Sequence, residues 1–298
     1  MIVKKKKQPI SPLPPWLRDA AKYLWGPARP ATVIVLLVGL LFGGWYLAWN
    51  KVRPRVLSSE AYIVTPEKVT LTELPPWIHS DLRAEGLRAA SLDEPLSIMD
   101  DNLAERIGNA FSQLAWVARV RQVRKHDGGR VTVDLEYRRP VCIVEVGNSW
   151  DPVDAGGVLL PRADFSQVEA SRYPLLVEIE TRPIGAEGEP WGDARVLGGA
   201  EIAAALIDDW KEFDLRQIVP SDPLATGVAE EPTYTLRTRS GTTIVWGRAP
   251  GSDALGELPA ADKVTRLRQY FQKNGTLDGR DLDIHSLRIS SRVGPGID

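Results

Sequence analysis

Residues 31–49 form a run of nineteen residues without a charged side chain, ATVIVLLVGLLFGGWYLAW. As an α-helix this run measures about 28 Å, close to the roughly 30 Å hydrocarbon core of a bilayer. A cleaved secretory signal is the alternative, but its apolar region is usually about 7–15 residues long and ends at a small-residue cleavage site. The length of the run and the aromatic residues at its end favour an uncleaved, single transmembrane helix at 31–49.

The charges around this run predict its orientation. Residues 1–30 contain seven Lys or Arg side chains, among them the run Lys4–Lys7, and one acid, Asp19. Three further basic residues follow the run between positions 51 and 55. Because basic residues next to a span favour the cytoplasmic side, the longer basic tail predicts a cytoplasmic N-terminus and an exported C-terminal region.

Two further features of the run concern its surroundings in the bilayer. Aromatic and basic residues at its exit are predicted to anchor the helix at the membrane interface: Trp45, Tyr46, Trp49 and Lys51. Gly39 and Gly43 have the spacing of a small-residue packing motif, which predicts weak self-association of the helix. Lipid is therefore one expected partner of the chain.

The region after the run is acidic and contains one cysteine. Residues 50–298 carry 30 basic and 38 acidic side chains, a net charge of −8, which argues against nucleic-acid binding. Cys142 cannot form an intramolecular disulfide, since it has no second cysteine to pair with. It lies in an apolar run, Val-Cys-Ile-Val, and is predicted to be a small buried hydrophobic residue.

A helix followed by a hairpin is the clearest pattern in the exported region. Apolar residues recur at helical spacing from Leu103 to Leu114, after the candidate N-caps Asp100 and Asp101, and predict a helix of about four turns. Alternation at 131–137 predicts a strand, and 117–124 is its predicted partner across the turn 126–129. With an earlier strand and helix, these elements predict a small module of helices packed on a sheet.

The sequence around this hairpin resembles the FtsQ/DivIB family of bacterial cell-division proteins. The matching segments follow one another in the family's order: Trp116-Val117, Arg138-Arg139-Pro140-Val141, Val153-Asp154, Gly157-Val158-Leu159, Thr235-Leu236-Arg237, 241–247, Lys263 with Leu267, and Leu287-Arg288-Ile289. The resemblance implies a cytoplasmic basic, Pro-rich tail at 1–30, a span at 31–49, a linker at 50–59, a POTRA domain at 60–140, a β domain at 141–292 and a short tail at 293–298. The implied fold class is α+β, with a largely antiparallel β domain that carries a helix near its C-terminus.

The chain also departs from the family's pattern. Val69-Thr70-Leu71-Thr72 lacks the glycine that usually ends the first POTRA strand, and Ser286 stands where an aspartate is usual. Residues 187–199 and 248–260 resemble insertions. The Gly- and Pro-rich stretch 183–199 is predicted to interrupt the exported region. These departures indicate a divergent member of the family.

No pattern in the sequence predicts a catalytic, cofactor or metal site. His79, His126 and His285 lie far apart, and no HExxH, GxSxG, SxxK or Walker motif occurs. His79-Ser80-Asp81 is predicted to begin a helix, and the acid pairs at 100–101 and 208–209 to cap helices or face solvent. The predicted function is a non-enzymatic scaffold of the division machinery. A POTRA-bearing assembly or secretion factor and a membrane-anchored envelope enzyme are the alternatives.

The end of the chain carries the predicted partner surface. Val264, Leu267 and Phe271 form an apolar helical stripe that ends at Asn274-Gly275, and a strand is predicted from about 282 to 290, with a bulge near His285. In the family, small coiled-coil membrane proteins bind at this end of the β domain, and an exposed edge permits strand addition. The predicted partner-binding residues are Tyr270, Phe271, Leu282, Ile284, Leu287, Arg288 and Ile289.

Overall fold

The computed structural model describes residues 29–57, 63–90, 96–221 and 231–287. The chain divides into two compact units, Met1–Ile63 and Val64–Asp298. Residues 1–28 of the predicted tail at 1–30, the predicted tail at 293–298 and the end of the predicted linker lie outside the described residues.

The first unit contains one long helix, α1 (Arg29–Leu57). Its segment Val33–Val52 is long and apolar enough to cross a membrane. The apolar side chains along this segment are exposed, including Trp45, Tyr46 and Trp49. The predicted linker at 50–59 is helical as far as Leu57.

The second unit begins with a small sheet and two helices. Its elements in chain order are β1 (Ile63–Val64), β2 (Val69–Leu71), α2 (Leu82–Ala89), β3 (Leu96–Ser97), α3 (Leu103–Ser112), β4 (Val117–His126) and β5 (Arg130–Tyr137). β5 lies in the middle of a three-stranded sheet, parallel to β2 and antiparallel to β4. β1 and β3 form a separate two-stranded pair. The predicted hairpin of β4 and β5 is confirmed.

α3 packs on this sheet, which explains why its apolar residues recur at helical spacing and those of β5 alternate. Val131 and Val133 are fully buried on one face of β5, and Ile107 and Phe111 of α3 are fully buried in the same cluster. The helix has ten residues, fewer than the predicted four turns, and its N-cap is Asn102. The predicted caps are wrong, since the Asp100 carboxylate accepts the Asn102 N–H in the turn before the helix, at 3.0 Å.

A seven-stranded sheet forms the rest of the unit, in the order β12-β11-β10-β9-β8-β6-β7. Its strands are β6 (Pro140–Val146), β7 (Ser149–Asp154), β8 (Leu175–Leu176), β9 (Leu215–Pro220), β10 (Thr233–Thr238), β11 (Thr243–Arg248) and β12 (Leu282–Asp283). Three helices accompany it, α4 (Gln167–Ala170), α5 (Ala194–Leu206) and α6 (Ala260–Asn274). The sheet is mixed rather than largely antiparallel, because β6, β8 and β9 run parallel, as do β11 and β12.

The core of this sheet lies on the face covered by α5 and α6. Cys142 of β6 is fully buried there, as predicted, together with Trp246 of β11. Ala203 of α5 and Leu267 of α6 are fully buried in the same cluster. The two helices thus bury the apolar residues of alternate positions along the strands.

Residues 183–193 of the predicted interruption form no helix or named strand, as expected, but its last six residues belong to helix α5. The helix begins at Ala194, where the Asp193 carboxylate accepts the Arg195 N–H at 2.8 Å. Gly198 and Gly199 lie inside it and are buried. The Tyr234 hydroxyl and the Leu176 side chain occupy the places that a Cβ at these two positions would take. Close packing therefore selects glycine here, whereas the sequence pattern indicated a loop.

Asp164, in the segment between β7 and β8, connects the seven-stranded sheet to the module that contains the three-stranded sheet. Its carboxylate accepts hydrogen bonds from Trp116 Nε1 at 2.5 Å and from Ser80 Oγ at 2.9 Å. His79 Nδ1 lies 2.9 Å from its backbone carbonyl oxygen. Asp81 caps α2 by accepting the Ala84 N–H, so the predicted helix start at 79–81 is confirmed.

Candidate partner-binding surface

The structure divides the predicted partner-binding residues into two groups. Leu282 and Ile284 are 5% and 0% exposed and belong to the hydrophobic core. Tyr270, Phe271 and Leu287 are half-buried and pack against the margin of that core. Arg288 and Ile289 lie outside the described residues. Among the described members, the second group is the one that a partner could contact without rearrangement of the core.

Helix α6 positions the aromatic part of this surface. Val264 and Leu267 are buried against the sheet, as the apolar stripe predicted. Phe271 continues the stripe and packs its ring 5.2 Å from the ring of Phe213. The helix ends at Gly275, whose φ of 75° is left-handed and whose N–H donates to the Phe271 carbonyl at 2.7 Å. The predicted cap at Asn274-Gly275 is therefore confirmed.

β12 is the edge strand of the seven-stranded sheet in the described part of the chain, where Leu282 and Asp283 pair with β11 in parallel. Residues 284–287, which were predicted to continue the strand, are not part of it, and residues 288–290 lie outside the described residues. The chain then turns, and the Leu287 N–H donates to the Ile284 carbonyl at 3.3 Å. The predicted bulge near His285 is instead this turn, which explains why the apolar alternation of the sequence is broken there.

Arg266 attaches the turn to α6. Its Nη1 donates to the carbonyl oxygens of Ile284 and His285, each at 3.0 Å. Two backbone acceptors that follow the edge strand are thereby bonded to the helix. The edge is therefore fixed in place by a side chain from α6 as well as by its own short pairing with β11.

A group of charged and aromatic side chains lies beside Arg266, with its lysine and tryptophan fully buried and its histidine partly exposed. We call it the lysine cluster: Lys263, Glu257, His285 and Trp246. The Lys263 side chain is only 1% exposed and forms a salt bridge with Glu257. It also donates to the Arg248 carbonyl at 3.0 Å, and its Nζ lies 4.8 Å from the centroid of the Trp246 ring. His285 Nε2 lies 3.4 Å from the same Glu257 carboxylate.

The electrostatics of the lysine cluster follow from its burial. Burial lowers the pKa of the Lys263 ammonium, and the hydrogen bond and charge of Glu257 act in the opposite direction. Gly247 permits the close approach of these groups, because a Cβ there would collide with His285 and Glu257, and its φ of 91° also favours glycine. The cluster joins α6, the loop after β11 and the C-terminal turn.

Sequence analysis missed the lysine cluster, although one signal for it was present. Lys263 lies four residues before Leu267, on the helix face that the apolar stripe assigns to the core. A lysine at a core position requires an acceptor or a counter-charge. Glu257 supplies it from the segment 248–260, which was interpreted only as an insertion.

Asp209 is a second residue whose burial was not predicted from the sequence. The pair at 208–209 was predicted to cap a helix or face solvent, but Asp209 is 7% exposed. Its two oxygens accept from Nε and Nη2 of Arg268, both at 2.8 Å. This hydrogen bond raises the pKa of the Arg268 guanidinium. The ion pair between Asp209 and Arg268 connects α6 to the turn that precedes β9.

The side chains and backbone groups around the β12 edge are suited to binding another molecule. The described residues contain no group of three or more His, Cys, Asp or Glu side chains arranged to hold a metal ion. Cys142 is fully buried, and burial raises the pKa of its thiol, which disfavours the reactive thiolate. An edge strand with half-buried apolar neighbours is suited to contact with a peptide segment.

Comparison with known proteins does not assign the chain to a family: the sequence matches no protein-family model, and a search of curated proteins gives no significant match.

Proposed function

We propose that this chain is a single-pass membrane scaffold of the bacterial cell-division machinery, of the FtsQ/DivIB type, which binds other membrane proteins of septum formation and is not itself an enzyme. The order of elements in Val64–Asp298 is the observation that carries the proposal. A strand, two helices and a hairpin precede a larger sheet whose last strand lies at an edge. This is the order that the sequence resemblance predicts for a POTRA-like domain followed by a β domain.

The proposed membrane topology rests on α1 and on the charges before it. The helix is long enough to cross once, and the basic tail favours the cytoplasm for the N-terminus. Trp45, Tyr46, Trp49 and Lys51 would then lie at the outer interface of the inner membrane. The POTRA-like and β domains would lie outside that membrane, within reach of other proteins with a single span.

The proposed partner surface is the region around the β12 edge, with Tyr270, Phe271 and Leu287 as its apolar contacts. Small coiled-coil membrane proteins are the proposed partners, and an extended segment of such a protein could add to the edge as a further strand. The Arg266 hydrogen bonds fix this edge before binding. A preformed edge reduces the ordering entropy that association costs.

Imaging of dividing cells tests the proposed role. A fluorescent protein fused to the cytoplasmic N-terminus should concentrate at the division site, and depletion of the chain should block septation and produce filaments. Uniform membrane fluorescence together with normal septation after depletion would reject a role in division. Filaments with a uniform signal would also count against a scaffold that acts at the septum.

Capture of partners from membranes tests the proposed surface. The tagged full-length chain should retain a small single-span coiled-coil protein, and the double variant Tyr270→Ala/Leu287→Ala should lose it. The matched control is Thr265→Ala/Gln272→Ala, which truncates two exposed residues, one in the middle of α6 and one near its end. Equal capture by all three proteins would place the partner surface elsewhere.

A further inference from the structure

A cleft of about 990 Å³ lies away from the β12 edge, toward the end of the sheet where β7 is the edge strand. Its walls come from the turn between β6 and β7, the segment from α4 to β8, the turn before β9 and the turn between β10 and β11. Ile143, which is 2% exposed, and half-buried Leu175 contribute apolar lining. The volume falls within the range of about 300–1,000 Å³ that is typical of ligand sites.

Basic side chains predominate among the charged residues that line this cleft, which we call the basic cleft. Four are basic, Arg172, Lys211, Arg216 and Arg239, and two are acidic, Glu145 and Asp214. This excess of positive charge contrasts with the net charge of −8 on residues 50–298. A local field of opposite sign to the rest of the domain attracts and orients an anionic partner.

Three of the four basic side chains of the cleft take no part in the salt bridges of the described residues. Arg239 forms a salt bridge with Asp214 at 3.0 Å, and both side chains are more than half exposed. Arg172, Lys211 and Arg216 are exposed and form no salt bridge within the part of the chain that the structure describes. Exposed guanidinium groups are suited to bidentate hydrogen bonds with carboxylates.

The aromatic residues of the basic cleft indicate which kind of anion fits. Trp210 is only 6% exposed, and Arg162 covers the ring of Trp150 at 4.4 Å from its centroid. The ring of Tyr173 packs edge-on against Phe165, with 5.9 Å between their centroids. Trp210 is thus closed to stacking, and Arg162 covers one face of Trp150. An extended peptide needs no stacking platform, since it binds through its carboxylates and aliphatic groups.

We propose that the basic cleft binds an extended, acidic peptide segment of a partner protein, with the carboxylates of the segment on Arg172, Lys211 and Arg216 and its aliphatic groups on the apolar lining. The N-terminal tail of this chain is basic and does not complement the cleft. The proposal does not depend on a role in division.

The test uses the full-length chain in nanodiscs of zwitterionic lipid and a fluorescein-labelled oligoglutamate peptide, with binding followed by anisotropy. We expect saturable binding that weakens as salt is added. The variant Arg172→Gln/Arg216→Gln should bind about tenfold or more weakly. The control Arg182→Gln/Arg280→Gln removes two exposed arginines outside the cleft and should bind as the unmodified chain does.

Several outcomes would overturn the proposal. Equal weakening in both variants would show that the peptide responds to net charge, and unchanged binding in the cleft variant would place it on the basic tail. Absence of binding by the unmodified chain would also contradict it. Competition by neutral oligosaccharides, lost in the cleft variant, would replace the peptide with a glycan. Circular dichroism spectra of both variants show whether each is folded, so that loss of binding is not confused with misfolding.

Discussion

Removal of Glu257 isolates the energetic role of the lysine cluster. In the Glu257→Ala variant the Lys263 ammonium, which is 1% exposed, retains only the Arg248 carbonyl and the face of Trp246 as partners. Breaking a buried ion pair on one side costs about 3–5 kcal/mol, since the remaining charge is left without compensation. We therefore expect Glu257→Ala to be among the most destabilising single truncations in this region.

Removal of the lysine should lower the free energy of unfolding by less than removal of Glu257 does. Lys263→Met keeps an unbranched stem against Trp246 and removes the charge, while the Glu257 side chain is 13% exposed and keeps its contact with His285. About 1–3 kcal/mol is the expected loss, which is the usual cost of a buried polar group without its partner. The double variant Glu257→Ala/Lys263→Met should be destabilised by clearly less than the sum of the two, because both changes act on one interaction.

Urea unfolding of the full-length chain in mild detergent, followed by circular dichroism, measures these differences. With a slope of about 3 kcal/mol per molar urea, Glu257→Ala should lower the midpoint by roughly 1–2 M. Glu231→Ala is the control, because Glu231 also pairs with an arginine but its side chain is 56% exposed. Its midpoint should not change measurably.

The pH dependence of unfolding provides a second measure. Because burial lowers the Lys263 pKa, the unfolded chain binds this proton more tightly than the folded chain does, and the free energy of unfolding rises with pH between the lowered pKa and the ordinary value of 10.5. Lys263→Met should lack that rise. A flat or falling difference curve in this window, or a Glu257→Ala variant as stable as the control, would refute the argument.

Two further predictions concern packing and the connection between the sheets. Gly198→Ala should destabilise the chain by about 1–3 kcal/mol through overpacking against Tyr234. Gly108→Ala, in a helix with room for a Cβ, should stabilise it by up to about 1 kcal/mol. The two variants should therefore shift the midpoint of thermal unfolding in opposite directions, and equal shifts would contradict this. Asp164→Ala should lower the free energy of unfolding by about 1–3 kcal/mol, because the indole N–H of Trp116, a residue that is 1% exposed, loses its acceptor. An unchanged midpoint of urea unfolding would contradict this.

The predicted module at 103–137 agreed with the structure because its residues follow local rules. The alternation at 131–137 has the period of a strand, and the Asp-Gly turn before it specifies a hairpin. Burial in the structure follows the same alternation. Where one face of a strand is buried and the other is exposed, the sequence carries the information directly.

The errors occurred where distant contacts override local preference. Two adjacent glycines disfavour a helix in isolation, yet Gly198 and Gly199 lie in α5 because Tyr234 and Leu176 fill the space beside them. Likewise, the burial of Lys263 depends on Glu257 and Trp246, which come from other parts of the chain. Such selection by a tertiary neighbour leaves no periodic signal in a single sequence.

The candidate surface was predicted only in part for the same reason. The sequence located the helix stripe and its glycine cap, but the short edge strand and the turn after it depend on Arg266 and on pairing with β11. Leu282 and Ile284 were assigned to a partner surface because the family resemblance implies binding at this end of the β domain, on an exposed edge strand. The structure places both in the core.

Complementation of depleted cells is the most direct test of the proposed scaffold and its surface. Cells depleted of the chain would express the unmodified protein, Tyr270→Ala/Leu287→Ala, or the control Thr265→Ala/Gln272→Ala, and septa would be counted at matched membrane levels. We predict that the unmodified chain and the control restore septation and that the Tyr270/Leu287 variant yields filaments. Full restoration by that variant, or normal septation without any copy of the chain, would contradict the account.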